Sequence, residues 1–294
     1  MKDTLKPFIN KIEKLPTLPV IAREILSLQN DPLLSIDKLT SIVERDPAIA
    51  AKIISTANSP FFASLNQPVN LNDAIMRIGF NTVKSIAVGI SILSFMNDSR
   101  KTTEYTRIFN HSLTVGLAAR LIAKNLNMGN KEDILVEGLL HDLGYLVLNR
   151  YLPDTYQNIT NLFNDEMCIL DAEKNILNTT HAEIGFWLAL RWNLPETISD
   201  TILYHHTPSL GKNPIHKAII HLADYIVAKN ICSPFEMDPN YPLDHCSFDI
   251  LSIRDSDLKE MEESICNVPL SDEIFDMPDD STGTVKGLHK SAAS

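Results

Sequence analysis

The chain has no apolar run near the roughly 18 residues needed to span a bilayer, so no membrane-crossing segment is expected. Its start, Met1-Lys2-Asp3-Thr4-Leu5-Lys6-Pro7, lacks the apolar core and small-residue cleavage site of a secretory leader, which makes a cytoplasmic location the expectation. The four cysteines (Cys168, Cys232, Cys246 and Cys266) are scattered with no Cys-x-x-Cys pair. That spacing argues against a zinc ribbon or a disulfide framework and fits a reducing compartment. No glycine-rich phosphate cradle, nucleophile elbow or reactive-cysteine context is present. Lysine and arginine do not cluster, so direct nucleic-acid binding is not expected. No convincing period-two alternation occurs anywhere, and an all-α fold is the economical reading.

What charge there is lies at one end. The formal net charge of -11 divides into 14 acidic and 4 basic residues from Ile231 onward, against 23 acidic and 22 basic before it. The acidic end reads as a solvated tail.

In order along the chain, Leu15-Pro16-Thr17-Leu18-Pro19 cannot lie inside a helix, because each proline removes a donor and restrains its predecessor. Helical periodicity follows in Val20 to Leu28, with Ile21, Ile25 and Leu28 on one face, and again in Ile36 to Glu44, where Ser35 and Asp37 are candidate caps. Asp46-Pro47 suits a helix start that runs to Asn58, with Asp as cap and Pro at the first position. Leu71 to Ile78 is a further helix ended by Gly79, and the apolar run Val83 to Phe95 is too long for a strand. A polar break, 97–103, separates this part from a helix over Glu104 to Asn125. Past Ile231, three X-Pro pairs mark a loop, and Ser252 to Cys266 forms one acidic helix using Ile253, Leu258, Met261 and Ile265. After Pro278 the chain is polar and expected to be disordered.

The most unusual stretch is Val136 to Leu148, in which His141-Asp142 interrupts an almost wholly apolar sequence. A buried carboxylate without a partner costs several kcal/mol or takes up a proton, so Asp142 needs a cation or strong donors nearby. Other candidates recur at core-facing positions. His111 shares a helix face with Val115, Ala118 and Ile122. Thr180 and Glu183 form a capping-box pattern that puts His181 in a first helical turn. His205-His206 ends a helix starting at Pro195, and Asp224 lies in Ile219 to Val227 beside an apolar face. His141-Asp142 itself is placed on a helix starting near Glu132 and Asp133. Any one such histidine reads as a satisfied core residue, which is the reading for His216, His221, His245 and His289. Glu137, one turn before His141, is either an orienting group or a surface acid.

Several separated motifs carry a family resemblance: Leu15-Pro16-x-Leu18-Pro19, Arg45-Asp46-Pro47-Ala48-Ile49-Ala50-Ala51-Lys52-Ile53, Ala57-Asn58-Ser59-Pro60-Phe61-Phe62 and Ala74-Ile75-x-x-Ile78-Gly79. Over about residues 8 to 230 the chain resembles the HDOD domain, the HD-related output domain of bacterial signalling proteins. The resemblance implies an N-terminal helical subdomain (8–100) packed on an HD-domain-like helical subdomain (101–230). An acidic extension (231–278) with one helix and the disordered tail (279–294) follow. It further implies that His111, His141, Asp142 and Asp224 hold one metal ion, and that His181, His205 and His206 hold a second through a bridging Asp142. Imidazole and carboxylate donors suit one or two divalent ions, with iron or manganese favoured over zinc. Two departures from HD-GYP phosphodiesterases stand out. Tyr145 replaces a lysine that commonly follows the His-Asp-x-Gly motif, and 207–214 lacks the Gly-Tyr-Pro loop. The expectation is therefore a non-catalytic or weakly catalytic signalling module that binds unidentified signalling proteins in trans. The alternative is a metal-dependent phosphohydrolase or phosphodiesterase in which Asp142 is catalytic.

Overall fold

The computed structural model describes residues 17–28, 32–62, 70–96, 102–129, 131–162, 167–231 and 241–268. The 97–103 break lies mostly outside these ranges, and the expected disordered tail, Cys232 and His289 lie wholly outside them. Among the described residues there is no β-strand, and no helix is long and apolar enough to cross a membrane. The all-α expectation holds.

The helices are α1 (Val20–Leu26), α2 (Pro32–Val43), α3 (Pro47–Ala57), α4 (Leu71–Ile78), α5 (Phe80–Phe95), α6 (Thr102–Asn125), α7 (Lys131–Leu140), α8 (Leu143–Tyr151), α9 (Pro153–Leu162), α10 (Ile169–Leu177), α11 (His181–Arg191), α12 (Glu196–Tyr204), α13 (Pro214–Asn230), α14 (Cys246–Leu251) and α15 (Asp255–Cys266). Local chemistry sets several starts. Asp46 accepts from the amides of Ala48 at 3.0 Å and Ile49 at 3.2 Å, with Pro47 opening the helix as the sequence suggests. Asn70 caps α4 by accepting from Asp73 N at 2.8 Å.

Four boundaries differ from the sequence reading. Helix α2 begins at Pro32, whose fixed φ suits a first position, so positions 35 and 37 fall inside the helix rather than at its start. Helix α7 ends at Leu140, which leaves His141 and Asp142 in a two-residue break before α8 rather than on a helix. The capping box is half formed: Thr180 accepts from Glu183 N at 3.4 Å, while the Glu183 carboxylate accepts from the Thr179 hydroxyl instead of reaching back. The acidic helix begins at Asp255, after a left-handed Ser252 that closes the short, unanticipated α14.

Helix α5 is the hinge of the packing. It contacts α1 and α3 on one side and α7 on the other. Burial of every residue from Ile86 to Leu93 explains why that part of the helix is almost wholly apolar. The resulting core runs without interruption from Leu18 to Ile202. A second core joins α6, α13 and α15 through Ile122, Ile226, Met261 and Ile265, so the last described helix packs through the apolar positions expected of it. Close backbone approach is enforced at one motif position. A Cβ on Gly144 would stand 1.9 Å from the carbonyl oxygen of His181, so α8 can lie against the start of α11 only if residue 144 is glycine.

Candidate metal centre

Each expected ligand sits on a different structural support. His111 projects from the middle of α6 and Asp224 from α13, the two helices of the second core. His141 and Asp142 occupy the α7–α8 break, His181 is the first residue of α11, and His205 and His206 follow the end of α12. All seven converge. Six are buried to 3 % exposure or less, and only His206 is half-buried.

Asp142 stands at the centre with its two oxygens facing opposite ways. Its Oδ2 lies 3.4 Å from His111 Nε2 and 3.3 Å from His141 Nε2, while its Oδ1 lies 3.3 Å from His181 Nε2 and 3.7 Å from His205 Nε2. Asp224 Oδ1 joins the first side, 3.0 Å from His111 Nε2 and 3.7 Å from His141 Nε2. His206 Nε2 joins the second, 3.2 Å from His181 Nε2, which is itself 3.2 Å from His205 Nε2. His111, His141 and Asp224 thus lie toward one oxygen of Asp142, and His181, His205 and His206 toward the other. The halves also touch, since ligand atoms of His141, His205 and Asp224 fall within 4.8 Å of one another.

The outer nitrogens fix which ring atoms face inward. His141 Nδ1 donates to Gly138 O at 2.7 Å, and His205 Nδ1 to Ile202 O at 2.9 Å, both carbonyls one turn back. His181 Nδ1 donates to Glu173 Oε1 at 2.8 Å, and the same carboxylate accepts His181 N at 2.9 Å. With the outer proton committed to an acceptor-only group, each neutral ring turns its Nε2 lone pair to the centre. Two lone pairs facing each other at 3.2 Å repel unless a proton or a metal ion lies between them. The buried His141 Nε2 and Asp224 Oδ1 also lack any hydrogen bond of acceptable geometry. These donors fit one or two divalent ions, and outer acceptors of this kind characterise metal-binding histidines.

Protons are the other way to neutralise the acids. Burial alone would lower His141, but Asp142 and Asp224 beside it push it up to about 9. Burial is likewise outweighed at His181, which Glu173 and Asp142 push up to about 10. His205, buried beside those two rings, is pushed down to about 3, and burial beside His205 and His181 holds His206 well below its ordinary value. Asp142 and Asp224 stay well below the usual carboxylate range despite burial, because His141 lies beside both.

Three supporting residues escaped the sequence reading. Glu173 is fully buried and reaches His181 from α10, eight positions earlier, a separation outside any single-helix period. Tyr241 belongs to the last of the X-Pro pairs that marked a loop, yet its hydroxyl donates to Asp224 Oδ2 and lies 3.5 Å from His206 Nδ1. Thr201 donates to Glu137 Oε2 at 2.8 Å, and His216 Nδ1 lies 3.1 Å from Glu137 Oε1. Glu137 is 1 % exposed, so it is no surface acid. His221 is a fully buried core histidine whose Nε2 accepts from Asp244 N at 2.8 Å, while its Nδ1 lacks a hydrogen bond of acceptable geometry. Tyr145 is buried, stacks on the His181 ring at 4.0 Å between centroids, and hydrogen-bonds Glu173.

The family model described as HDOD domain matches residues 15–208. An uncharacterized protein of Treponema pallidum (strain Nichols) is 27 % identical over 210 residues, which cover 67 % of this chain but only 38 % of that relative. The chain thus spans well under half the length of that protein. Among solved structures, an HDOD domain protein of unknown function from Geobacter sulfurreducens aligns with a TM-score of 0.74 at 24 % identity, covering 92 % of this chain and 98 % of that one. A candidate phosphohydrolase from Shewanella amazonensis SB2B aligns with a TM-score of 0.68 at 19 % identity, covering 92 % and 97 %. At these identities the two structures speak for the fold.

Proposed function

From the premise that this chain belongs to the HDOD domain family, we propose that it is a signalling module whose HD-type cluster holds divalent metal and which acts on partner proteins by contact rather than by turnover. The observation that carries the metal reading is the convergence of imidazole Nε2 atoms on the two faces of Asp142, with their Nδ1 protons already committed. Bound ions would supply the positive charge that Asp142 and Asp224 lack, and Lewis acidity toward a phosphoryl oxygen.

The surroundings favour a structural or sensing centre. Where the enzymatic relatives carry a lysine, Tyr145 presents a neutral ring packed flat on His181, with its hydroxyl committed to Glu173. It offers no cation to a phosphate. The ligands are sealed from solvent except at His206, where Tyr241 stands. A second reading, a metal-dependent phosphohydrolase with Asp142 at its centre, is favoured by the complete ligand set and by the two-sided Asp142, which suits a two-ion clamp.

The deciding experiment purifies untagged protein under low oxygen without chelator, quantifies iron, manganese and zinc, and assays phosphoesters including cyclic dinucleotides. Metal without turnover is the expected result. Less than about a tenth of an equivalent of every metal would sink the metal reading. Turnover that disappears in a folded Asp142→Ala protein would establish the phosphohydrolase instead.

A further inference from the structure

The polypeptide after the described part of α13 does more than extend the chain. Its first described residue, Tyr241, donates its hydroxyl to Asp224 Oδ2 and lies 3.5 Å from His206 Nδ1, with the two rings 5.8 Å apart. Three residues on, Asp244 N donates to the buried His221 Nε2 at 2.8 Å. Asp224 and His221 are one turn apart on α13, so two hydrogen bonds lay this segment along a single helix face beside the metal centre. Helices α14 and α15 anchor it. Met261 and Ile265 are buried in the second core, and Phe248, Leu251, Ile253 and Leu258 pack against that core.

We propose that 241–266 is a latch that shuts an anion site on the metal centre, with Tyr241 as the residue that closes it. This inference rests on the metal reading above and adds what controls access to it. His206 is the one cluster member with partial exposure, and the Tyr241 ring stands against it. An incoming anion, phosphate or a phosphoester, must displace that ring and break its bond to Asp224. The side chain has two separable parts: the hydroxyl holds Asp224, and the ring occludes His206. Local opening of a surface segment costs less than global unfolding, so the latch can release while the domain stays folded.

The test uses full-length protein as wild type, Tyr241→Phe and Tyr241→Ala, each checked by circular dichroism and thermal melting. Cobalt(II)-loaded samples are titrated with inorganic phosphate and followed by visible absorption. In parallel, metal-free samples are treated with diethyl pyrocarbonate and His206 modification is timed by mass spectrometry. In Tyr241→Ala, phosphate should bind at least about ten-fold more tightly and His206 should react at least about ten-fold faster than in wild type, with Tyr241→Phe between them. Equal phosphate affinity and equal His206 rates in wild type and Tyr241→Ala would overturn the latch. Should wild type take up no cobalt, the metal reading fails alone, and the His206 rates still decide whether Tyr241 closes the site. If Tyr241→Ala does not fold, a Tyr241→Phe protein indistinguishable from wild type in both readouts overturns the proposal.

Discussion

Glu137 and Thr201 are joined by a 2.8 Å hydrogen bond between α7 and α12, and each lies one helical turn before a histidine of the cluster, His141 and His205 respectively. The bond therefore ties together the two backbone ends that carry ligands to opposite faces of Asp142. Glu137 also faces His216 of α13 at 3.1 Å, so one buried carboxylate links three of the supporting helices.

Thr201→Val keeps the shape and removes the donor to Glu137. We expect a loss of about 1 to 2 kcal/mol in chemical denaturation, the cost of a buried acceptor losing one of its two partners. Metal affinity should fall about ten-fold with the number of bound ions unchanged, because the ligands remain but are held less firmly. Competition with a chromophoric chelator reads the affinity. An unchanged affinity beside a lowered stability would make the pair a structural tie only.

The two faces of Asp142 predict a pattern of stoichiometry. His111→Ala removes a ligand from the Oδ2 side and His205→Ala one from the Oδ1 side. Each should leave one metal equivalent where wild type holds two, whereas Asp142→Asn should reduce both. Metal analysis after gel filtration distinguishes this from a single shared ion, for which every one of the three substitutions would abolish binding.

How much of this was legible in the sequence depends on how far each interaction reaches along the chain. The helices announced themselves through local period and caps, as at Asp46-Pro47, because those forces act within one turn. The seven cluster residues were legible because histidines and aspartates are conspicuous in apolar surroundings and their order resembles a known series. Their supports were not. Glu173, Thr201 and Tyr241 are ordinary residues whose roles arise only when α10, α12 and the segment after α13 fold against the ligands. The same limit misplaced His141-Asp142 on a helix: no proline or polar cluster marks the break after Leu140.

Gly144 supplies a packing prediction independent of metal. A Cβ there would meet His181 O at 1.9 Å and His181 C at 2.6 Å, and these are backbone atoms that no rotamer change can move. Gly144→Ala must push α8 from the start of α11 and shift His181 with it. We expect a loss of about 3 kcal/mol, at the upper end for overpacking, seen as a lower denaturation midpoint at unchanged slope. A substitution tolerated within about 0.5 kcal/mol would mean that α8 and α11 are free to separate.

Opposed titrations in the cluster give a pH signature to the metal-free protein. His141 and His181 are raised from 6.5 to about 9 and about 10, so their contribution is complete below about 6.5 and is lost as pH climbs through 9 to 10. His205 and His206 are lowered, so the folded state resists their protonation and loses stability as pH falls below 6.5, where the unfolded chain binds those protons. Asp142 and Asp224, lowered from 3.8, add stability that is present above that value and is lost as pH falls toward their folded values. Metal-free protein should therefore melt highest near about pH 6.5 and fall away on both sides. Metal replaces the protons on His141 and His181, so in the loaded protein the alkaline decline should vanish while the acid decline steepens as protons compete for the ligands. Thermal melts of chelator-treated and metal-reconstituted protein between about pH 5 and pH 10 measure the difference directly, and parallel curves for the two samples would show that these histidines do not exchange protons for metal.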